Sequence, residues 1–115
     1  MEKLCKIRDI QRAVGQFEVN FEKLYGICLN EGMALCSLSK AEKLSSGELG
    51  ELLGLTSSNT SKVINSIEKK GLIARTMGTK DKRQMFFYLT GEGRNLLAAI
   101  QGEEVAISDL LKKIL

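Results

Sequence analysis

Along the first part of the chain the apolar residues fall at Ile7, Ile10, Val14, Phe17, Phe21, Leu24 and Cys28, in alternating steps of three and four. That spacing is an unbroken heptad seam on one long helix. It is stricter than the broad apolar stripe of an ordinary core-facing helix. The seam predicts packing along another long helix, either from a second copy of the chain or from the last helix of the same chain. Asn30 has the chemistry of an N-cap for a second helix over 31–41, whose apolar positions are Ala34, Leu35 and Leu38.

The text LSSGELGELLGLTSSNTSKVINSIEKKGL follows. Ser45-x-x-Glu48 reads as a capping box, in which the serine oxygen takes the N3 amide and the glutamate reaches back to the cap amide. The helix it opens is expected to bury Leu49, Leu52 and Leu53. Gly54 is placed to end that helix in a left-handed conformation, with Leu55 anchoring the turn. Thr56 caps a further helix over 57–70, and Gly71 closes it. Two short helices about a Gly-containing turn predict a helix-turn-helix.

At about 100° per residue, Thr60, Val63, Ile64, Ile67 and Gly71 share one face of the second of these helices, which is its core face. Ser58, Lys62, Asn65 and Lys69 fall opposite, flanked by Ser61 and Ser66. An ordinary surface helix interleaves Glu and Lys on its outward row. Here that row is small, amide-bearing and basic, and Glu68 stands to one side. Serine and asparagine suit base edges, while lysine and helix N-terminal amides suit phosphates. Residues 72–77 and 84–89 then form two apolar-rich runs joined by Gly78 to Arg83, which predicts a hairpin. Thr90 caps a last helix carrying Leu96, Leu97, Ile100, Ile107, Leu111 and Ile114, with Gly102-Glu103-Glu104 as a polar break. A helix-turn-helix followed directly by a hairpin is a winged helix. The fold class is thus mainly α with a small β-hairpin wing.

Composition narrows the function. The 115 residues fit one domain, small enough for a partner subunit to add useful core. The net charge of +3 is unevenly spread. Residues 56–83 hold Lys62, Lys69, Lys70, Arg75, Lys80, Lys82 and Arg83 against only Glu68 and Asp81. Residues 1–55 and 84–115 are each slightly acidic. Positive charge gathered in this way points to a polyanion partner. With no histidine and three cysteines lacking any CxxC pair, a disulfide framework, a zinc cluster, a cofactor and triad chemistry are not expected. No phosphate-binding glycine loop or carboxylate pair suggests an enzyme. No apolar run is long enough to span a membrane. The N-terminus, MEKLCKIRD, carries charge where a signal peptide needs an apolar stretch, so a cytoplasmic location is expected.

The segment SSGELGELLGLTSSNTSKVINSIEKKGLIARTMGTKDKRQMFFYLTGEG resembles the MarR family of bacterial and archaeal transcription regulators. The likeness lies in the helix-turn-helix, then Lys-Gly-Leu-Ile-x-Arg, a wing with Asp-x-Arg, and Leu-Thr-x-x-Gly at the start of the next helix. The resemblance implies a DNA-binding regulator, a repressor in many members, acting as a homodimer on a pseudo-palindromic operator. Residues 1–29 and 91–115 would then be helical dimerisation arms and 30–90 the DNA-binding winged helix, within one domain. Ser57, Ser58, Asn59, Ser61, Lys62 and Asn65 would meet the major groove. Arg83 would enter the minor groove, oriented by Asp81 unless that residue serves only its own turn. Lys69, Arg75, Lys80 and Lys82 would neutralise phosphates, with Arg75 alternatively a strut. The family likeness also implies a small-molecule effector, here unidentified. Phe17, Phe21, Tyr25, Met33 and Cys36 are candidates to line its pocket, although apolar residues at helical spacing are more often plain core. Two other readings are a winged helix that docks proteins without DNA, and oxidant sensing at Cys5, which lies between Lys3 and Lys6.

Overall fold

The computed structural model describes residues 2–102 and 108–115. Its elements run α1 (Glu2–Tyr25), α2 (Leu29–Ser39), β1 (Leu44–Ser45), α3 (Ser46–Leu53), α4 (Ser57–Lys69), β2 (Ile73–Met77), β3 (Met85–Leu89), α5 (Gly91–Gly102) and α6 (Asp109–Lys112). The chain divides into two compact units. One holds α1 and α6, and the other runs from Asn30 to Gly102. The expected C-terminal arm is therefore not one helix. Its first part, α5, groups with the second unit, and α5 ends at Gly102, the first residue of the expected polar break. Glu103, Glu104 and Ile107 lie outside the described residues.

In the first unit, α1 is a helix of 24 residues. Phe21 is its one buried side chain, stacked on Phe17 at a ring-centroid distance of 5.9 Å and tilted against Tyr25 at 5.0 Å. The remaining seam is only partly covered: Ile10, Val14 and Phe17 are half-buried, whereas Ile7 and Leu24 are exposed. The last expected seam position, Cys28, lies beyond the helix, which ends at Tyr25 just before Gly26 at φ 71°. No disulfide joins the three cysteines.

The second unit has its core where α2, α3, α4 and the sheet meet. Ala34, Leu35, Leu38, Leu44, Leu49, Val63, Ile64, Ile67, Ile73, Phe87 and Leu89 are buried there. The sheet has the order β1-β3-β2 and is antiparallel throughout. Leu44 pairs with Phe87 and Ile73 with Leu89, so the buried apolar members of all three strands share one face. The two-residue β1 was not expected from the sequence. α2 starts at Leu29, which puts Asn30 inside its first turn instead of at the cap.

The expected helix signals in α3 and α4 are present. Ser45 and Glu48 exchange both hydrogen bonds of the capping box, at 3.1 and 2.9 Å. The Ser45 backbone N–H, followed by its hydroxyl, holds the Glu48 carboxyl below the usual carboxylate value. Gly54 adopts φ 68° as α3 ends, a conformation that costs any residue with a Cβ. Leu55 N–H then donates to the Gly50 carbonyl at 3.0 Å, closing the turn. Thr56 caps α4 by accepting from Asn59 N–H at 3.1 Å. One expectation for α3 fails. Leu49 is buried, but Leu53 is only half-buried and Leu52 is 64% exposed. A helix of eight residues covers little more than two turns, and only the side facing α4 and the sheet meets core.

Candidate nucleic-acid interface

α4 presents the row expected of a reading helix. Thr60, Val63, Ile64 and Ile67 are buried beneath it. Ser57, Ser58, Asn59, Ser61, Lys62, Asn65 and Lys69 are all exposed, so the outward polar side chains of the helix face solvent. Ser66 does not belong to that row. It is half-buried, and its hydroxyl donates to Glu31 Oε2 at 2.8 Å. Glu31 on α2 also accepts from Lys70 Nζ, at 3.1 and 2.9 Å. This carboxylate is buried and fastens the C-terminal turn of α4 to α2. The sequence carried no local sign of it, because its partners are 35 and 39 residues away.

A second brace joins α4 to the wing. Arg75 on β2 grips Glu68 with two parallel bonds, Nε to Oε2 at 2.7 Å and Nη2 to Oε1 at 2.6 Å. This fork-to-carboxylate geometry is the strongest form of side-chain pairing. The guanidinium also lies 5.5 Å from the Phe87 ring centroid. Arg75 is thus tied to α4 with its charge partnered by Glu68. The Arg75 hydrogen bonds hold the Glu68 carboxyl below its usual 4.5, and Glu68 in turn raises Arg75. A carboxyl depressed in the native state stabilises the fold above its unfolded pKa, and that contribution fades as pH falls through the native value. Glu68→Gln should therefore lower stability at pH 7, with the gap to wild type closing below about pH 4.5. Urea unfolding at pH 7 and pH 3.5 checks this; a gap independent of pH would mean the pair contributes nothing through charge.

β2 and β3 run in register from Ile73–Leu89 to Met77–Met85. The loop between them closes through Gly78 N–H to the Gln84 carbonyl at 2.7 Å and Gln84 N–H to the Asp81 carbonyl at 3.1 Å. Lys80, Asp81, Lys82 and Arg83 project from this tip, all exposed. Asp81 Oδ1 accepts from Arg83 N–H at 2.9 Å and from Arg83 Nε at 3.3 Å. One carboxylate oxygen of Asp81 thus bonds both the backbone and the side chain of Arg83. The Arg83 side chain is otherwise 91% exposed. Among the described residues no cluster of His, Cys, Asp or Glu could hold a metal ion, and no helix is long and apolar enough to cross a membrane.

Comparison with known proteins agrees with this layout. The family model for the MarR family matches residues 27–85. The HTH-type transcriptional regulator SarZ of Staphylococcus aureus is 31% identical over 75 residues, which cover 65% of this chain and 51% of SarZ. The chain thus spans about half the length of the curated relatives it matches. The crystal structure of the YusO protein from Bacillus subtilis is 28% identical and superposes with a TM-score of 0.70, covering 87% of this chain and 70% of YusO. The S. aureus MepR–DNA complex shares the fold, with a TM-score of 0.76 at 23% identity over 84% of this chain and 72% of MepR. With a family model matching more than half its length, and with α4, the Glu68–Arg75 brace and the Asp81–Arg83 wing in place, this chain belongs to the MarR family.

Proposed function

We propose that this protein is a transcription regulator that binds double-stranded DNA in the cytoplasm as a homodimer and represses by occupying a pseudo-palindromic operator. The observation that carries the reading is the pairing of an exposed Ser/Asn/Lys face on α4 with a wing tip where Asp81 holds Arg83 outward. α4 would enter the major groove through Ser57, Ser58, Asn59, Ser61, Lys62 and Asn65, and Arg83 the neighbouring minor groove. Lys69, Lys80 and Lys82 would neutralise phosphates. A second copy of the chain is the occupant that the half-covered α1 seam calls for, because Ile7 and Leu24 are exposed at heptad spacing. A wing tip and helix face so rich in cations and amides argue against a protein-docking winged helix, whose contact surface should be apolar at its centre.

The test is fluorescence anisotropy with DNA from upstream of the protein's own gene and with a scrambled duplex, each over a salt series. Wild type should prefer its own sequence. Asn65→Ala should lose about 1–3 kcal/mol on that sequence and little on the scramble. Equal losses on both would end the case for base reading by α4. In the same preparations, sedimentation velocity should show a dimer that Ile7→Glu dissociates; a monomeric wild type would rule out the symmetric operator.

A further inference from the structure

Beside the wing loop, on the sheet face opposite the core, lies a cleft of about 130 Å³ lined by Lys43, Gly78, Thr79, Lys80, Gln84 and Phe86. Strand alternation places it. Phe87 and Leu89 point into the core, so Phe86 points outward, beside Ser45 of β1 with which it pairs. Lys43, the residue before β1, lies across that outward ring with Nζ 4.6 Å from its centroid. No acidic residue lines the cleft, and neither lysine has a carboxylate within 4.0 Å among the described residues. The two arginines of this wing are already engaged: Arg75 is clamped by Glu68 and Arg83 is bonded by Asp81. Lys43 instead is held by an aromatic face, which fixes the ammonium without neutralising it.

We infer that Lys43 and Lys80 form an anion site for a DNA phosphate on the flank of the operator, outside the region read by α4. The inference rests on the DNA-binding reading above. A minor groove is bounded by two phosphate backbones, so a wing set in it meets one on each side. Lys62 and Lys69 serve the side of the recognition helix. The outward face of the sheet would meet the other backbone, and Lys43 is the cation fixed there. Its place in the chain, 37 residues before Lys80, leaves it outside the basic segment that marks the rest of the interface. Holding the ammonium on Phe86 reduces the side-chain entropy lost on binding, and Thr79 adds a hydroxyl donor at the rim of the cleft.

The experiment measures affinity over a salt series for two duplexes. One ends at the base pairs reached by Arg83, and the other extends by six base pairs at each end. For wild type the longer duplex should bind more tightly and with a steeper salt dependence. Lys43→Ala should match wild type on the short duplex but fail to gain on the long one, with a log–log slope shallower by about 0.9 per subunit. Lys43→Arg should recover the slope. Phe86→Leu, which keeps the lysine and removes its platform, should keep most of the slope and lose about two- to fivefold in affinity. If wild type prefers its operator and Lys43→Ala still gains the full advantage of the flanks, this site is overturned and the regulator reading stands. If wild type binds neither duplex, both fall.

Discussion

Gly93→Ala should be the most damaging single-methyl change in this protein, lowering its stability by about 3 kcal/mol. Gly93 lies in the first turn of α5 and is buried. A Cβ there would run into the carbonyl oxygen of Leu72 and come within 3.1 Å of Leu89 Cδ2. The carbonyl has little freedom to retreat. It accepts from Thr90 N–H at 3.1 Å, while the Leu72 N–H donates to Ile67 at 3.0 Å to close α4. Thr90 tightens the same junction, donating from its hydroxyl to the Gly71 carbonyl at 2.7 Å and accepting from Gly93 N–H at 3.1 Å. The end of α4, the start of the wing and the start of α5 are thus locked over a few backbone groups. Relief would have to come from moving β2 or α5, and with β2 the wing. Thermal unfolding should drop by roughly 10–20 °C, while Gly91→Ala, whose new methyl meets nothing within 4 Å, should stay within about 0.5 kcal/mol of wild type. A Gly93→Ala protein within about 1 kcal/mol of wild type would show that the junction yields.

What the sequence made legible follows from the range of the interactions involved. The capping box at Ser45, the left-handed Gly54 and the Thr56 and Thr90 caps are contacts between residues three or four apart, so local text specifies them. The wing turn was legible for the same reason, since Asp81 and Arg83 are two residues apart. Glu31 was not, because nothing near it announces that Ser66 and Lys70 will arrive at its carboxylate. β1 exists only through its pairing with β3, and two residues carry no period to detect. The same limit hid Lys43, whose role depends on Phe86 across the sheet. The heptad seam overran the end of α1 because apolar spacing reports a face and not where the backbone turns. Gly26 supplied the turn. Ser66 was placed outward because a helical wheel ignores which neighbours crowd its flank. Leu52 was placed inward because it ignores how far the core extends.

Arg83→Ala should weaken operator binding about 10- to 100-fold, roughly 1.4–2.8 kcal/mol, and Asp81 provides the decisive comparison. An aspartate beside a DNA backbone is repelled by phosphates. If its only effect were electrostatic, Asp81→Ala would tighten binding. The geometry argues for the opposite sign. Asp81 Oδ1 holds both the backbone N–H and the Nε of Arg83, so it fixes the turn and aims the long side chain away from the sheet. Losing that restraint returns rotamer entropy that must be removed again when the arginine enters the groove. Asp81→Ala should therefore bind about three- to tenfold more weakly than wild type. Asp81→Asn should fall between, since an amide oxygen can still accept from the backbone N–H but no longer attracts the guanidinium by charge. Because the two residues act through one contact, Asp81→Ala should cost little further affinity in the Arg83→Ala background. That double-mutant cycle, measured by anisotropy at one salt concentration, separates orientation from simple charge. Tighter binding by Asp81→Ala in the wild-type background would leave the aspartate as a turn residue only. Additive losses in the double mutant would mean the two side chains meet DNA independently.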